Sequence, residues 1–311
     1  MKKIFSMIIM TDLEPDDVLA IKFLSREIPL DTLLYVIVGE SEQVAQKVQL
    51  GKAIFSKYGF TNFTCVAGTS SKKTYPQRCL SSFDVETTCF TEPKWTGTLE
   101  EIMLFFQDKN PIILAIKPMW ELFDIPKDIL ANFDLYVYGS FNFRCLFKKV
   151  SSKVVADFIN HSFRQVFLYE SFFVSGAENT MSGTDPLFQK YVENDPFLIE
   201  MMNGWNEHIV KDCLDTTIEI SLELNKEFAK YHPDWTWIRS QMDRMMNRNL
   251  KVVQSMADGD GKQMVLADQG LVLKMFFEPE AKKKRGDIFF NENGYTCVEE
   301  NLTSKVQTFM Q

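Results

Sequence analysis

Short apolar runs alternate with longer segments of helical period through the first half of the chain, and this alternation predicts an α/β fold built on a mostly parallel sheet. The first run, Ile4 to Met10, ends at Thr11-Asp12 and reads as a buried strand. Pro15-Asp16-Asp17 then opens a helix whose apolar positions are Val18, Ala20, Ile21, Phe23 and Leu24. Proline suits a first helical position and acids suit a first turn, where the backbone N–H ends favour negative charge. The same pattern predicts strands at Thr32 to Val38, Asn62 to Ala67, Pro111 to Ile116, Leu135 to Tyr138 and Gln165 to Tyr169. Helices are expected at Glu42 to Tyr58, stopped by Gly59, at Leu99 to Gln107 and at Val154 to Asn160. Lys72 to Gly97, polar and broken by prolines, reads as a long loop.

From Leu187 to Met256 the period lengthens, predicting helices at Phe197 to Asp212, Ile218 to Tyr231 and Trp235 to Met256. Without a linker signal, this region reads as a helical insertion or cap, about residues 187–256, on a single domain covering 1–311. Asn293-Gly294, between Ile288-Phe289-Phe290 and Tyr295 to Val298, signals a hairpin.

Parallel α/β sheets place ligands at the carboxyl ends of their strands. On this map Asp12, Gly39-Glu40, Gly68-Thr69, Ile116-Lys117 and Gly139-Ser140 share one edge. Asp12, Asp16 and Asp17 cluster there, and carboxylates held so close repel unless a cation neutralises them. Acids at a helix start also occur for capping alone, so a metal site and a plain helix start both fit this motif. Asp258-Gly259-Asp260-Gly261 lacks the downstream spacing of an EF-hand loop and reads as a turn.

Composition narrows the function classes. The 311 residues are 45% hydrophobic, enough for a large core, and the net charge of −8 argues against a broad nucleic-acid footprint. Lys282 to Arg285 is a basic run that reads as a solvated turn. The six cysteines form no C-x-x-C pair, which fits reduced thiols and a cytoplasmic setting. No segment is long and apolar enough to span a membrane, and the apolar start lacks a signal-peptide cleavage site.

The acids of Asp12-Leu13-Glu14-Pro15-Asp16-Asp17 have the spacing of the D-x-D-P-G-x-D-D signature, and the chain resembles the nucleoside hydrolases there. Met10 stands for the leading acid and Leu13-Glu14-Pro15 for the Pro-Gly-x turn. The resemblance implies a Rossmann-like sheet and a calcium site formed by Asp12, Asp17, the backbone carbonyl of Ile116 and Asp268. Ala115 to Glu121 resembles the family's T-G-P-L-T-N turn with only Pro118 kept. Without the resemblance, Asp268 in Ala267-Asp268-Gln269-Gly270 reads as a helix N-cap.

Ribose contacts are implied for Asp16 and for Asn142, the latter in a segment similar to the family's E-F-N motif with Ser140 in the glutamate's place. Glu40 follows Gly39 where the family has G-N, and reads equally as a sugar contact or a loop acid. The implied activity is hydrolysis of an N-ribosidic bond, with Asp12 as metal ligand and general base. Ala267 stands where the family often carries a histidine that protonates the departing base. Trp235, Trp237, Arg239 and Arg244, or Tyr75 and Trp95, are candidates to replace it, each competing with a plain packing role. The substrate expected is a small riboside, with neither nucleic acid nor membrane as partner, and family members often form homo-oligomers. Two other readings remain open: a ribose-binding protein with lost turnover, and a haloacid-dehalogenase-like phosphatase. The latter expects D-x-D after its first strand, whereas Glu14 stands two residues after Asp12.

Overall fold

In a computed structural model, residues 6–39, 44–68, 95–117, 119–138, 158–159, 161–169, 180–182, 186–195, 198, 263–265, 289–291 and 294–296 are described. Six strands form one sheet: β1 (Ser6–Thr11), β2 (Leu33–Val38), β3 (Phe63–Ala67), β4 (Ile112–Ala115), β5 (Asp134–Tyr138) and β6 (Gln165–Tyr169). Their spatial order is β3-β2-β1-β4-β5-β6, and every neighbouring pair is parallel. The chain therefore winds outward from β1 in one direction, then returns to β1's other side at β4. That reversal falls between β1 and β4, and open α/β sheets bind ligands at the carboxyl ends of the strands at such a point.

Both faces of the sheet are covered, which explains why the strands read as continuous apolar runs. Helices α1 (Pro15–Glu27) and α2 (Val44–Lys57) connect β1 to β2 and β2 to β3. The α2 helix lies on the face bearing Val38 and Cys65: a Cβ added at Gly51 would stand 3.3 Å from Val38 Cγ2 and 3.5 Å from Cys65 Sγ. Ile8, Met10, Tyr35, Ile37, Ile113, Ala115, Leu135 and Val137 occupy the other face. There they share a core with Ile102, Met103 and Phe106 of α3 (Leu99–Phe106) and with Ile129 and Leu130 of α4 (Lys127–Leu130). Thr98 caps α3 by accepting from Glu101 N. Gly59, at φ +86°, ends α2 in the left-handed region that favours glycine.

Strand and helix ends agree with the sequence pattern to within a residue or two, and β6 matches at both ends. The expected end of the α3 helix tightens instead into a 3-10 turn, Gln107–Lys109, followed by Asn110 at φ 49°. The 3-10 turn Trp120–Asp124 and α4 have no counterpart in the periodicity, and three later short elements lack one too. They are β7 (Thr180–Ser182), β8 (Gln263–Val265), which pairs antiparallel with β7, and α5 (Pro186–Val192). The hairpin is present as β9 (Phe289–Asn291) and β10 (Gly294–Thr296), but Gly294 pairs with Asn291 and so begins a strand. The long loop at 72–97, apart from 95–97, and the three helices expected after residue 196, apart from Leu198, lie outside the described residues, as does most of the helix expected at 154–160.

Asp195, after α5, joins that segment to the first two helices. Its carboxylate accepts from Tyr58 Oη at 3.0 Å and from Leu198 N at 3.2 Å, and pairs with Lys22 at 3.1 Å and Lys57 at 3.5 Å. Tyr191 of α5 meets Phe23 of α1 edge to face. Burial works to raise the Asp195 carboxyl, but Lys22, the Leu198 N–H and Lys57 hold it below the usual carboxylate range. A carboxyl depressed on folding contributes stability above its unfolded pKa of about 3.9, and that contribution is lost as pH falls through the folded value. Asp195→Ala should therefore cost about 2 kcal/mol in urea unfolding near pH 7, and the gap to the wild type should shrink near pH 3.

Candidate functional site

Between β1 and α1 the chain makes a tight turn through Asp12, Leu13 and Glu14, held from several directions. Leu13 adopts φ 57°, left-handed and costly for a branched residue, and its side chain is fully buried. Its N–H donates to Thr11 Oγ1 at 3.0 Å. Asp17, in the first turn of α1 and 1% exposed, turns its carboxylate back onto the backbone. There Oδ2 accepts from Asp12 N at 3.2 Å and Glu14 N at 3.1 Å. Glu14 and Asp17 also form a capping box at the start of α1.

Neighbouring strand ends extend this frame. Gly39 N donates to Thr11 O at 3.1 Å, joining the ends of β1 and β2, and Ile116 N donates to Met10 O at 2.9 Å, joining β1 to β4. Asp12 and Ile116 thus lie on adjoining strand ends at the reversal point. Asp16, half-buried, completes the acidic group, and its own Oδ1 accepts from Asp17 N at 3.2 Å. Burial, followed by the charges of Glu14 and Asp12, pushes the Asp16 carboxyl well above the usual carboxylate range.

Two lysines that periodicity does not single out also belong to this edge. Lys47, in the first turn of α2 and 6% exposed, donates from Nζ to the Asp12 carbonyl at 2.6 Å. Lys117, just past β4 and fully buried, bonds both carboxylate oxygens of Glu121, at 2.8 and 3.0 Å. Glu121 in turn reaches Gly68, just past β3: a Cβ at Gly68 would stand 2.4 Å from Glu121 Oε1, and 2.7 Å from Ile37 Cγ2 of β2. That approach requires glycine at position 68. The sequence does carry one signal for Lys47, since it falls in register with the buried stripe Val44, Leu50, Gly51, Ile54 and Phe55. A charge in an apolar stripe calls for a buried partner.

The donors at this turn are all oxygens, the chemistry that suits a hard cation such as calcium. Among the described residues, however, no group of three or more His, Cys, Asp or Glu side chains is arranged to hold a metal. Of the residues expected to form the site, Asp12, Asp16, Asp17 and Ile116 come together at the carboxyl ends of β1 and β4. Glu40, Asn142, Trp237, Arg239 and Asp268 lie outside the described residues. Trp95 is used in packing: its ring lies 4.8 Å from that of Phe105, and its backbone N–H donates to Thr64 Oγ1.

No protein-family model matches the chain, and no curated protein matches it by sequence. By structure it is similar to a plant nucleoside hydrolase, the PpNRh1 enzyme, at a TM-score of 0.55 and 10% identity, over 99% of this chain and 98% of that one. An inosine-guanosine nucleoside hydrolase scores 0.42 at 11% identity, over 90% of this chain and 80% of that one. The fold is thus of the nucleoside hydrolase-like α/β type, a mostly parallel six-stranded sheet with flanking helices.

The turn's geometry gives its two neighbouring acids opposite effects on stability. In chelator-treated protein, Asp17→Ala strands two backbone N–H groups and should lower unfolding stability by about 2 kcal/mol. Asp16→Asn, which removes a charge crowded by Glu14 and Asp12, should leave stability unchanged or raise it. Chemical denaturation of both variants checks this. An equal loss in both would contradict the assignment of the backbone contacts to Asp17.

Proposed function

We propose that the protein is a calcium-dependent N-ribosyl hydrolase, cleaving the bond between ribose and a nitrogen-linked leaving group in a small riboside. One observation carries this reading: the acidic turn of Asp12, Asp16 and Asp17 stands at the reversal point of a nucleoside hydrolase-like sheet, beside Ile116 on β4. Asp12, Asp17, the Ile116 carbonyl and Asp268 would hold the cation. When bound, calcium supplies Lewis acidity toward water and the sugar diol.

The remaining roles fall to side chains. Asp12 takes the proton of the attacking water as that water adds to the anomeric carbon and the C–N bond breaks, its electron pair leaving with the base. Asp16 and Asn142 hold ribose hydroxyls, with Glu40 beside them. Trp237 and Arg239 flank the departing group. The reading includes a single domain whose cap is formed by about residues 187–256, a cytoplasmic setting, and a homo-oligomer.

Ala267 supports a second reading, a ribose-binding protein with weak turnover, because the acid that would protonate a leaving purine is missing from that position. The two readings separate on leaving groups. Nicotinamide departs neutral from its riboside, and nitrophenolate is a stable anion, so neither needs protonation. General acid catalysis is typically worth about a hundred- to ten-thousand-fold. The enzyme reading therefore predicts kcat/KM on nicotinamide riboside or nitrophenyl riboside about two orders of magnitude above that on inosine, with calcium required for all. Equal or better rates on inosine would point to a replacement acid among the cap arginines. Ribose binding without turnover of any riboside would favour the second reading.

A further inference from the structure

Lys47 and Gly51 stand one helical turn apart on the buried face of α2, and both meet the Asp12–Glu14 turn. The ammonium of Lys47 reaches the Asp12 carbonyl at 2.6 Å. Gly51 leaves room for the Leu13 side chain, whose Cδ1 would stand 3.3 Å from a Cβ at that position. From α2, then, one contact grips the turn's backbone and the other seats its only fully buried apolar side chain, on a residue held at φ 57°.

A charged lysine 6% exposed is costly unless it is hydrogen-bonded and near opposite charge. Here its bond falls on the residue that follows β1, in the turn that carries Glu14 and leads to Asp16 and Asp17. A neutral side chain of similar length would fill the stripe of α2 as well, without making that bond. The packing of α2 alone therefore does not account for a lysine there.

We propose that Lys47 is a positioning residue for Asp12, acting from α2 together with Gly51 to fix the acidic turn in the geometry that Asp17 caps. This rests on the role given to Asp12 above, but its first test needs neither metal nor substrate. The N–H groups of Asp12 and Glu14 both donate to Asp17 Oδ2, so their hydrogen exchange reports the geometry of the turn directly.

Amide exchange on the full chain should show protection at Asp12 and Glu14 falling about tenfold or more in Lys47→Met, while Ile8 and Ile9 in the body of β1 change by less than about threefold. Lys47→Arg, which keeps a charged donor, should restore most of the protection. Gly51→Ala, a milder change that crowds Leu13, should cause a smaller loss at the same two amides, and it supplies the test if Lys47→Met fails to fold. Unchanged protection at Asp12 and Glu14 in the folded variants would overturn the proposal. So would an equal loss along all of β1, which marks general destabilisation. In turnover on nitrophenyl riboside, Lys47→Met should lower kcat by about tenfold or more with KM nearly unchanged, and Lys47→Arg should recover it. A wild type that cleaves no riboside would contradict the hydrolase reading, while the exchange result would still decide the role of Lys47.

Discussion

The carboxyl edge of the sheet depends on one carboxylate turned back toward its own backbone. Asp17 accepts the N–H groups of Asp12 and Glu14 with a single oxygen, and this fixes how β1 hands the chain to α1. Without that contact, the left-handed Leu13 would have less reason to stay folded under the turn, and Asp12 would lose its direction. The same contact starts α1 through the capping box, so the helix and the acidic group are set by one interaction. Stability and the proposed chemistry therefore draw on the same side chain, and substitutions at Asp17 will affect both.

Charge balance is the second constraint. Asp12, Glu14, Asp16 and Asp17 fall within six residues of chain, and the Asp16 carboxyl is raised by its burial first and then by the charges of Glu14 and Asp12. The fold brings one buried ammonium onto that turn, Lys47 from α2, and holds a second, Lys117, just past β4. Lys117 is matched by Glu121, whose carboxylate also lies against Gly68 just past β3, so this ion pair links the ends of β3 and β4. Such pairs are costly to bury, and removing one partner alone is far worse than removing both.

The strands were legible in the sequence because this sheet is covered on both faces and its apolar runs stand out against polar turns. The acidic turn was legible for a related reason: the change from a continuous run to helical period locates a strand end, and Asp12 falls there. Lys47 was hidden because its meaning depends on a strand more than thirty residues away in the chain. Lys117 and Glu121 sit in a turn whose sequence shows no period, so only the sheet order reveals what they bridge. The β7–β8 pair joins segments far apart in sequence through strands too short to show alternation. The hairpin slipped by one residue because Asn-Gly is a strong turn signal, yet here the glycine pairs within β10.

The central claim is that the acidic turn belongs to a calcium site, and calorimetric titration of calcium into the chelator-stripped chain tests it most directly. The account predicts saturable binding to the wild type that is lost in both Asp17→Asn and Asp268→Asn. Saturable binding that survives unchanged in Asp17→Asn, or its absence from a folded wild type, would contradict it.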